Sequence, residues 1–106
     1  MEGYDLTIRI AGNTATPSLA AIRAKGYSVH SSATAINGDI GHCIYQYDAT
    51  QNGRFFSATT PEELLGLIAM WEVRGDDWHA KAEDSAFEEE LDRKMIVYDQ
   101  DGNIMM

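Results

Sequence analysis

Two Asn-Gly pairs constrain the fold of this chain more than any other feature of its sequence. Asn37-Gly38 and Asn52-Gly53 each lie between runs that have the composition of β-strands. Both central residues of a two-residue hairpin turn need a positive φ, so Asn-Gly is the strongest short-range hairpin signal. The two pairs therefore predict a three-stranded meander, with strands over residues 27–36, 40–47 and 54–59.

A two-residue loop at Asn37-Gly38 would also fix the strand register. Ile36 would then oppose Asp39, and counting back from that pair places His30 opposite Tyr45. The same count places Ser32 opposite Cys43.

Two further segments have the character of strands. Residues 4–10 alternate apolar and polar side chains, which is the period of a half-buried strand. Thr16-Pro17 then has the chemistry of a helix start, and Gly26 has that of a helix end. This helix would connect residues 4–10 to the meander as a crossover. Residues 95–98 form a short apolar run that predicts a last strand.

Residues 60–94 are predicted to be helical. Thr60 and Pro61 have the chemistry of an N-cap and a first helical residue, and Glu63 completes a capping box. Gly75 predicts a break, and a second capping box beginning at Ser85 predicts that the helix bends or restarts near Asp84. At 100° per residue, one stripe of the first helix is apolar and faces the core: Leu64, Leu67, Ile68 and Trp71.

These elements together predict an α+β fold with one small domain over residues 1–106. The sheet is expected to be mainly antiparallel with four or five strands, and the helices are expected to pack on one of its faces. A chain of 106 residues is long enough to bury a real core without disulfides, and its single cysteine, Cys43, cannot form one internally.

Charge is distributed unevenly along the sequence. Residues 1–60 contain four acids and four bases, whereas residues 61–106 contain thirteen acids and four bases, so the net charges are 0 and −9. A negative surface repels phosphate and anionic lipid, which argues against nucleic-acid and membrane-surface partners. The start of the sequence resembles no targeting segment, and no apolar run would cross a bilayer. A cytoplasmic protein with a basic partner is expected.

No motif predicts catalysis, a cofactor or a metal. His42 and Cys43 are adjacent in a predicted strand, so their side chains point to opposite faces and cannot chelate one ion together. Cys43 has no obvious base beside it, and a strand cysteine of this kind usually packs as a small apolar residue. We therefore predict no catalytic, cofactor-binding or metal-binding residues.

Three hypotheses for function remain open. The first is an interaction module, of the inhibitor or immunity type, that binds a basic protein through an acidic helix. The second is a ligand-binding protein or enzyme with a cleft near His30, His42 and Tyr45. The third is a homodimer formed through Met70 and Val73, or through residues 104–106. The first hypothesis assigns partner binding to six carboxylates: Glu83, Asp84, Glu88, Glu89, Glu90 and Asp92.

Overall fold

The computed structural model describes residues 3–105 of the chain as an α+β fold. Six elements follow in order: α1 (Ala15–Ala24), β1 (Ser28–Ile36), β2 (Asp39–Gln51), β3 (Arg54–Ala58), α2 (Pro61–Arg74) and α3 (Ala82–Arg93). The chain divides into two compact units, which we call the sheet unit (Met1–Asp76) and the C-terminal unit (Asp77–Met106). The predicted α+β class is confirmed.

Both Asn-Gly pairs form the predicted hairpin turns. Asn37 and Gly38 have φ values of 53° and 74°, and Asn52 and Gly53 have values of 50° and 77°. These are the left-handed conformations that a two-residue turn of type I′ requires. The strand order is β1-β2-β3 and both pairings are antiparallel, so the predicted meander is confirmed.

The predicted register of the first hairpin is wrong. Ile36 opposes Asp39, but the next pair is Ala35 with Cys43, so three residues of β2 bulge out of the ladder. The Asp39 carboxylate supports this bulge by accepting the N–H of Gly41 at 3.0 Å. A shift by an odd number of residues exchanges the two faces of a strand. His30 therefore opposes Asp48 and not Tyr45.

The predicted fourth and fifth strands are not present among the described residues, so the prediction of four to five strands is wrong. Residues 4–10 are irregular, and residues 95–98 contribute only an isolated bridge between Tyr98 and Ile104. Alternation of polar and apolar residues indicates that a segment can form a strand, but it does not show which strand the segment would pair with. Helix α1 also begins slightly before the predicted Thr16-Pro17 start, with Thr14 at its N-cap position.

Helices α1 and α2 cover one face of the sheet. The buried core consists of Ile22, Tyr27, Ala49, Leu64 and Ile68, with Val29, Tyr47, Phe56, Ala58 and Leu65 packed against it. The two helices run parallel, because Thr14 contacts Glu62 near their N-terminal ends and Lys25 pairs with Glu72 at 2.9 Å near their C-terminal ends. The outer sheet face is polar where Gln46 donates to Ser57 at 2.8 Å.

Helix α2 begins as its sequence predicts. Thr60 has an extended conformation, its hydroxyl accepts the N–H of Glu63 at 3.1 Å, and Pro61 occupies the first helical position. The predicted break at Gly75 is also present, where φ is +79°. Within residues 3–105, no helix has both the length and the apolar character needed to cross a membrane.

Candidate protein-interaction surface

Helix α3 of the C-terminal unit has no buried residue. Its first turn is capped by Asp84, whose carboxylate accepts the N–H of Lys81 at 2.8 Å, so the helix starts before the predicted Ser85. Its last turn ends where Lys94 donates its backbone N–H to Glu90. The helix is therefore stabilised by its caps and by its helix-forming residues, and not by buried side chains.

Two apolar side chains form what we call the α3 stripe. Phe87 and Leu91 are four residues apart, so they lie on the same face of the helix, and they are 60% and 54% exposed. A groove of about 320 Å³ runs along this face. Its lining residues are Ala80, Asp84, Ser85, Phe87, Glu88 and Leu91.

Carboxylates flank the α3 stripe on both sides. At 100° per residue, Glu83 and Glu90 lie on one flank, and Asp84 and Glu88 lie on the other. The remaining two acidic residues of the helix, Glu89 and Asp92, are on the opposite side. The six carboxylates that the sequence groups as one segment therefore divide into four that frame the stripe and two that do not.

Two of the framing carboxylates already have partners within the unit. Asp84 caps the helix, and Glu90 pairs with Lys94 at 2.8 Å. Among the described residues, Glu83 and Glu88 form no ion pair or side-chain hydrogen bond. The two flanking carboxylates that remain for a basic group of another molecule are thus Glu83 and Glu88.

The C-terminal unit carries most of the net charge. Residues 77–106 contain nine acids and three bases, which gives −6, whereas residues 1–76 contain eight acids and five bases, which gives −3. The longer unit therefore has the smaller charge. The field of the C-terminal unit attracts cations and repels anions.

After α3, the C-terminal unit contains a small turn. Asp99 accepts the backbone N–H groups of Asp101 and Asn103, each at 2.9 Å, and this fixes the reversal that brings Tyr98 to Ile104. Its apolar side chains are exposed: Met95, Ile96, Val97, Tyr98, Ile104 and Met105.

The residues of the predicted cleft are not brought together. His30 points to the outer face of the sheet beside Asp48, whereas Tyr45 points to the face that carries the core. His42 lies in the bulge of β2. The thiol of Cys43 donates to the carbonyl of Ile40 at 3.1 Å. Within residues 3–105, no three His, Cys, Asp or Glu side chains converge as a metal site would require.

The residues of the homodimer hypothesis differ in exposure. Val73 is 87% exposed, but Met70 is only partly so. Ile104 and Met105 are exposed, and Met106 lies outside the described residues. Self-association through either set stays a prediction.

The sheet unit contains an apolar groove that no sequence pattern predicted. It has a volume of about 410 Å³ and lies where residues 4–10 meet the starts of α1 and α2. Thr14 donates to the Glu62 carboxylate at 2.6 Å, and this bond, with the backbone N–H of Glu62, lowers the pKa of Glu62. The groove is lined by residues of three separate segments: Ile8, Ile10, Thr14, Pro17, Ser18, Glu62 and Leu65.

The chain matches no protein-family model, no curated protein and no solved structure. Its function is therefore inferred from the surfaces of the described residues.

Proposed function

We propose that this protein is an interaction module that binds a basic protein partner through α3, as an inhibitor or immunity-type protein does. The observation that carries the proposal is the α3 stripe: two exposed apolar side chains framed by carboxylates on a helix with no buried residue. A solvated helix that serves only solubility has no need of exposed Phe87 and Leu91 between its acids.

The two parts of this surface have different roles. Phe87 and Leu91 supply apolar area, which dominates affinity once it is desolvated. Glu83 and Glu88 supply charge, which accelerates encounter with a basic surface and fixes the orientation of the complex. An acidic rim around an apolar centre is the arrangement that favours a specific basic partner over other proteins.

The chemistry of the partner follows from this arrangement. Its contact segment would present an aliphatic or aromatic side chain to the groove beside Leu91. Lysine or arginine residues on both sides of that side chain would reach Glu83 and Glu88. An amphipathic helix with basic flanks meets this description, because its side chains at i and i+4 match the spacing of the α3 stripe.

The experiment that tests the proposal is a pull-down from lysate of the source organism, with the purified protein as bait. Bound proteins are eluted with a salt step and identified by mass spectrometry. The expected result is one basic protein that leaves the bait as the salt concentration rises, because salt screens exposed carboxylates. Recovery of no basic protein would contradict the proposal.

A matched pair of variants tests the role of the stripe. Leu91→Ser removes an exposed aliphatic side chain from α3, and Val73→Ser removes one from α2. We expect Leu91→Ser to reduce the recovered partner at least about tenfold, which corresponds to roughly 1.4 kcal/mol. Val73→Ser should leave recovery unchanged, and equal losses in both variants would contradict the assignment to α3.

A further inference from the structure

The N-terminal segment, residues 4–10, has the pattern of a strand without a strand partner. Its four apolar side chains, Tyr4, Leu6, Ile8 and Ile10, are 72–79% exposed. No backbone hydrogen bond joins this segment to any other described residue. An extended segment with an exposed apolar face and free backbone groups can add to the open edge of a sheet.

Strand β1 provides such an edge. It is an outer strand of the β1-β2-β3 sheet, so one side of its nine residues has no strand neighbour. On the face that carries the core, its side chains beyond Val29 are small: Ser31, Ala33 and Ala35. Small side chains leave room for larger ones on an added neighbouring strand.

We propose that residues 4–10 add as an edge strand to β1 of a second copy of this chain. Within one chain, Ile8 and Ile10 line a groove with Pro17 and Leu65 that includes no residue of β1. In the proposed dimer, the apolar face of the N-terminal segment lies beside Ala33. Its polar face, which includes Thr7, lies beside Ser32 on the outer face of the sheet.

The area available is what a stable dimer needs. Burying four apolar side chains removes roughly 400 Å² from water, at about 100 Å² for each side chain. In a two-fold arrangement each copy both donates a segment and accepts one, so each partner loses about 800 Å², which is the size of a standard interface.

The charge distribution also favours a second copy as the occupant. Residues 1–60, which include the N-terminal segment and β1, have a net charge of zero. The two pairing elements also carry no net charge themselves, because Asp5 and Arg9 offset each other in residues 4–10 and β1 contains no Asp, Glu, Lys or Arg. Two copies can therefore pair through these elements without like-charge repulsion between them. A basic partner would gain little attraction from a neutral surface.

Sedimentation equilibrium of the full chain tests the dimer. The wild-type protein should have twice the chain mass of 11.7 kDa. Leu6→Lys should reduce the measured mass to that of the monomer while the far-ultraviolet circular dichroism stays unchanged, since Leu6 is exposed. Val73→Lys adds the same charge at an exposed aliphatic side chain of α2, outside the proposed contact, and should remain dimeric. A monomeric wild type, or a dimeric Leu6→Lys variant, would overturn the proposal.

Disulfide cross-linking tests the choice of edge. Thr7 is the central residue of the N-terminal segment and Ser32 is the central residue of β1, so they meet whether the added strand is parallel or antiparallel. With Cys43→Ser in all chains, Thr7→Cys mixed with Ser32→Cys should form a disulfide-linked heterodimer on oxidation. Thr7→Cys mixed with Ser57→Cys, on β3, should not, and preferential linkage to Ser57→Cys would overturn the assignment to β1.

Discussion

At the scale of single residues, Thr14 and Glu62 join the starts of α1 and α2. The Thr14 hydroxyl donates to the carboxylate and thereby lowers the pKa of Glu62. A pKa that is lower in the folded state means that the bond stabilises the fold above the ordinary pKa of glutamate. That contribution is lost as the pH falls through the folded value.

We expect Thr14→Val to raise the pKa of Glu62 toward its ordinary value, because the variant lacks the hydroxyl that donates to the carboxylate. The measurement is a titration of the Glu62 side-chain carboxyl by nuclear magnetic resonance. Thr16→Val removes a hydroxyl two residues away on the same helix and should leave the pKa unchanged. A pKa that does not move in Thr14→Val would contradict this role.

The N-cap of α2 allows a second prediction at this scale. Thr60→Ala removes the acceptor for the N–H of Glu63 and should destabilise the protein by about 1 kcal/mol. Thermal unfolding would then shift downward by roughly 4–8 °C. Thr59→Ala is the control, because the Thr59 hydroxyl contacts only the Glu63 side chain at 3.2 Å and should cost much less.

At the scale of elements, two glycines should respond to alanine in opposite ways. Gly53 has a φ of +77° in the second hairpin turn, so Gly53→Ala should cost about 1–2 kcal/mol through backbone strain alone. Gly66 lies in α2, is exposed and has open space beside it, so Gly66→Ala should stabilise by about 0.5–1 kcal/mol. Chemical denaturation measures the free energy of unfolding of both variants. If both were stabilised, or both destabilised, the assigned backbone conformations would be contradicted.

The elements also show which parts of the fold the sequence could predict. Turns and caps are local, so the Asn-Gly pairs and the Thr60-Pro61 start were predicted from neighbouring residues. The bulge in β2 was not predicted, because it depends on the hydrogen bond that the Gly41 N–H donates to the Asp39 carboxylate after the turn. That bulge exchanged the strand faces and separated His30 from Tyr45.

The pairing partner of a strand also could not be predicted from a local sequence pattern. Residues 4–10 have the alternation of a strand, but the free energy of a strand comes from its neighbours in a sheet. The α3 stripe shows the same limit for a helix. The composition of the segment predicted that all six carboxylates form one binding face. The helix bounds and the exposures of Phe87 and Leu91 show that four of them flank the stripe and two lie on the opposite side.

At the scale of the whole molecule, the buried side chains and most of the charge belong to different units. All five core residues lie in the sheet unit, and none of residues 77–105 is buried. Backbone groups without buried neighbours open more readily to solvent. The C-terminal unit is therefore expected to open to solvent more readily than the sheet unit.

Hydrogen exchange measured by mass spectrometry should show this difference directly. Amides of α3 are expected to exchange faster than those around Leu64 and Ile68 in α2, which are buried. Addition of the basic partner should slow exchange in α3 and leave the α2 amides unchanged. Equal protection of both helices in the free protein would contradict the division.

The affinity of the purified partner for two charge-matched variants would show whether the α3 stripe is a specific binding site. Glu83→Gln/Glu88→Gln neutralises two carboxylates that flank the α3 stripe, and Glu89→Gln/Asp92→Asn neutralises two on the opposite side of the helix. We predict that the first variant weakens binding at least about tenfold and reduces its salt dependence, while the second changes affinity less than about threefold. Equal weakening in both variants would show that net charge alone attracts the partner, and would contradict a specific site at the α3 stripe.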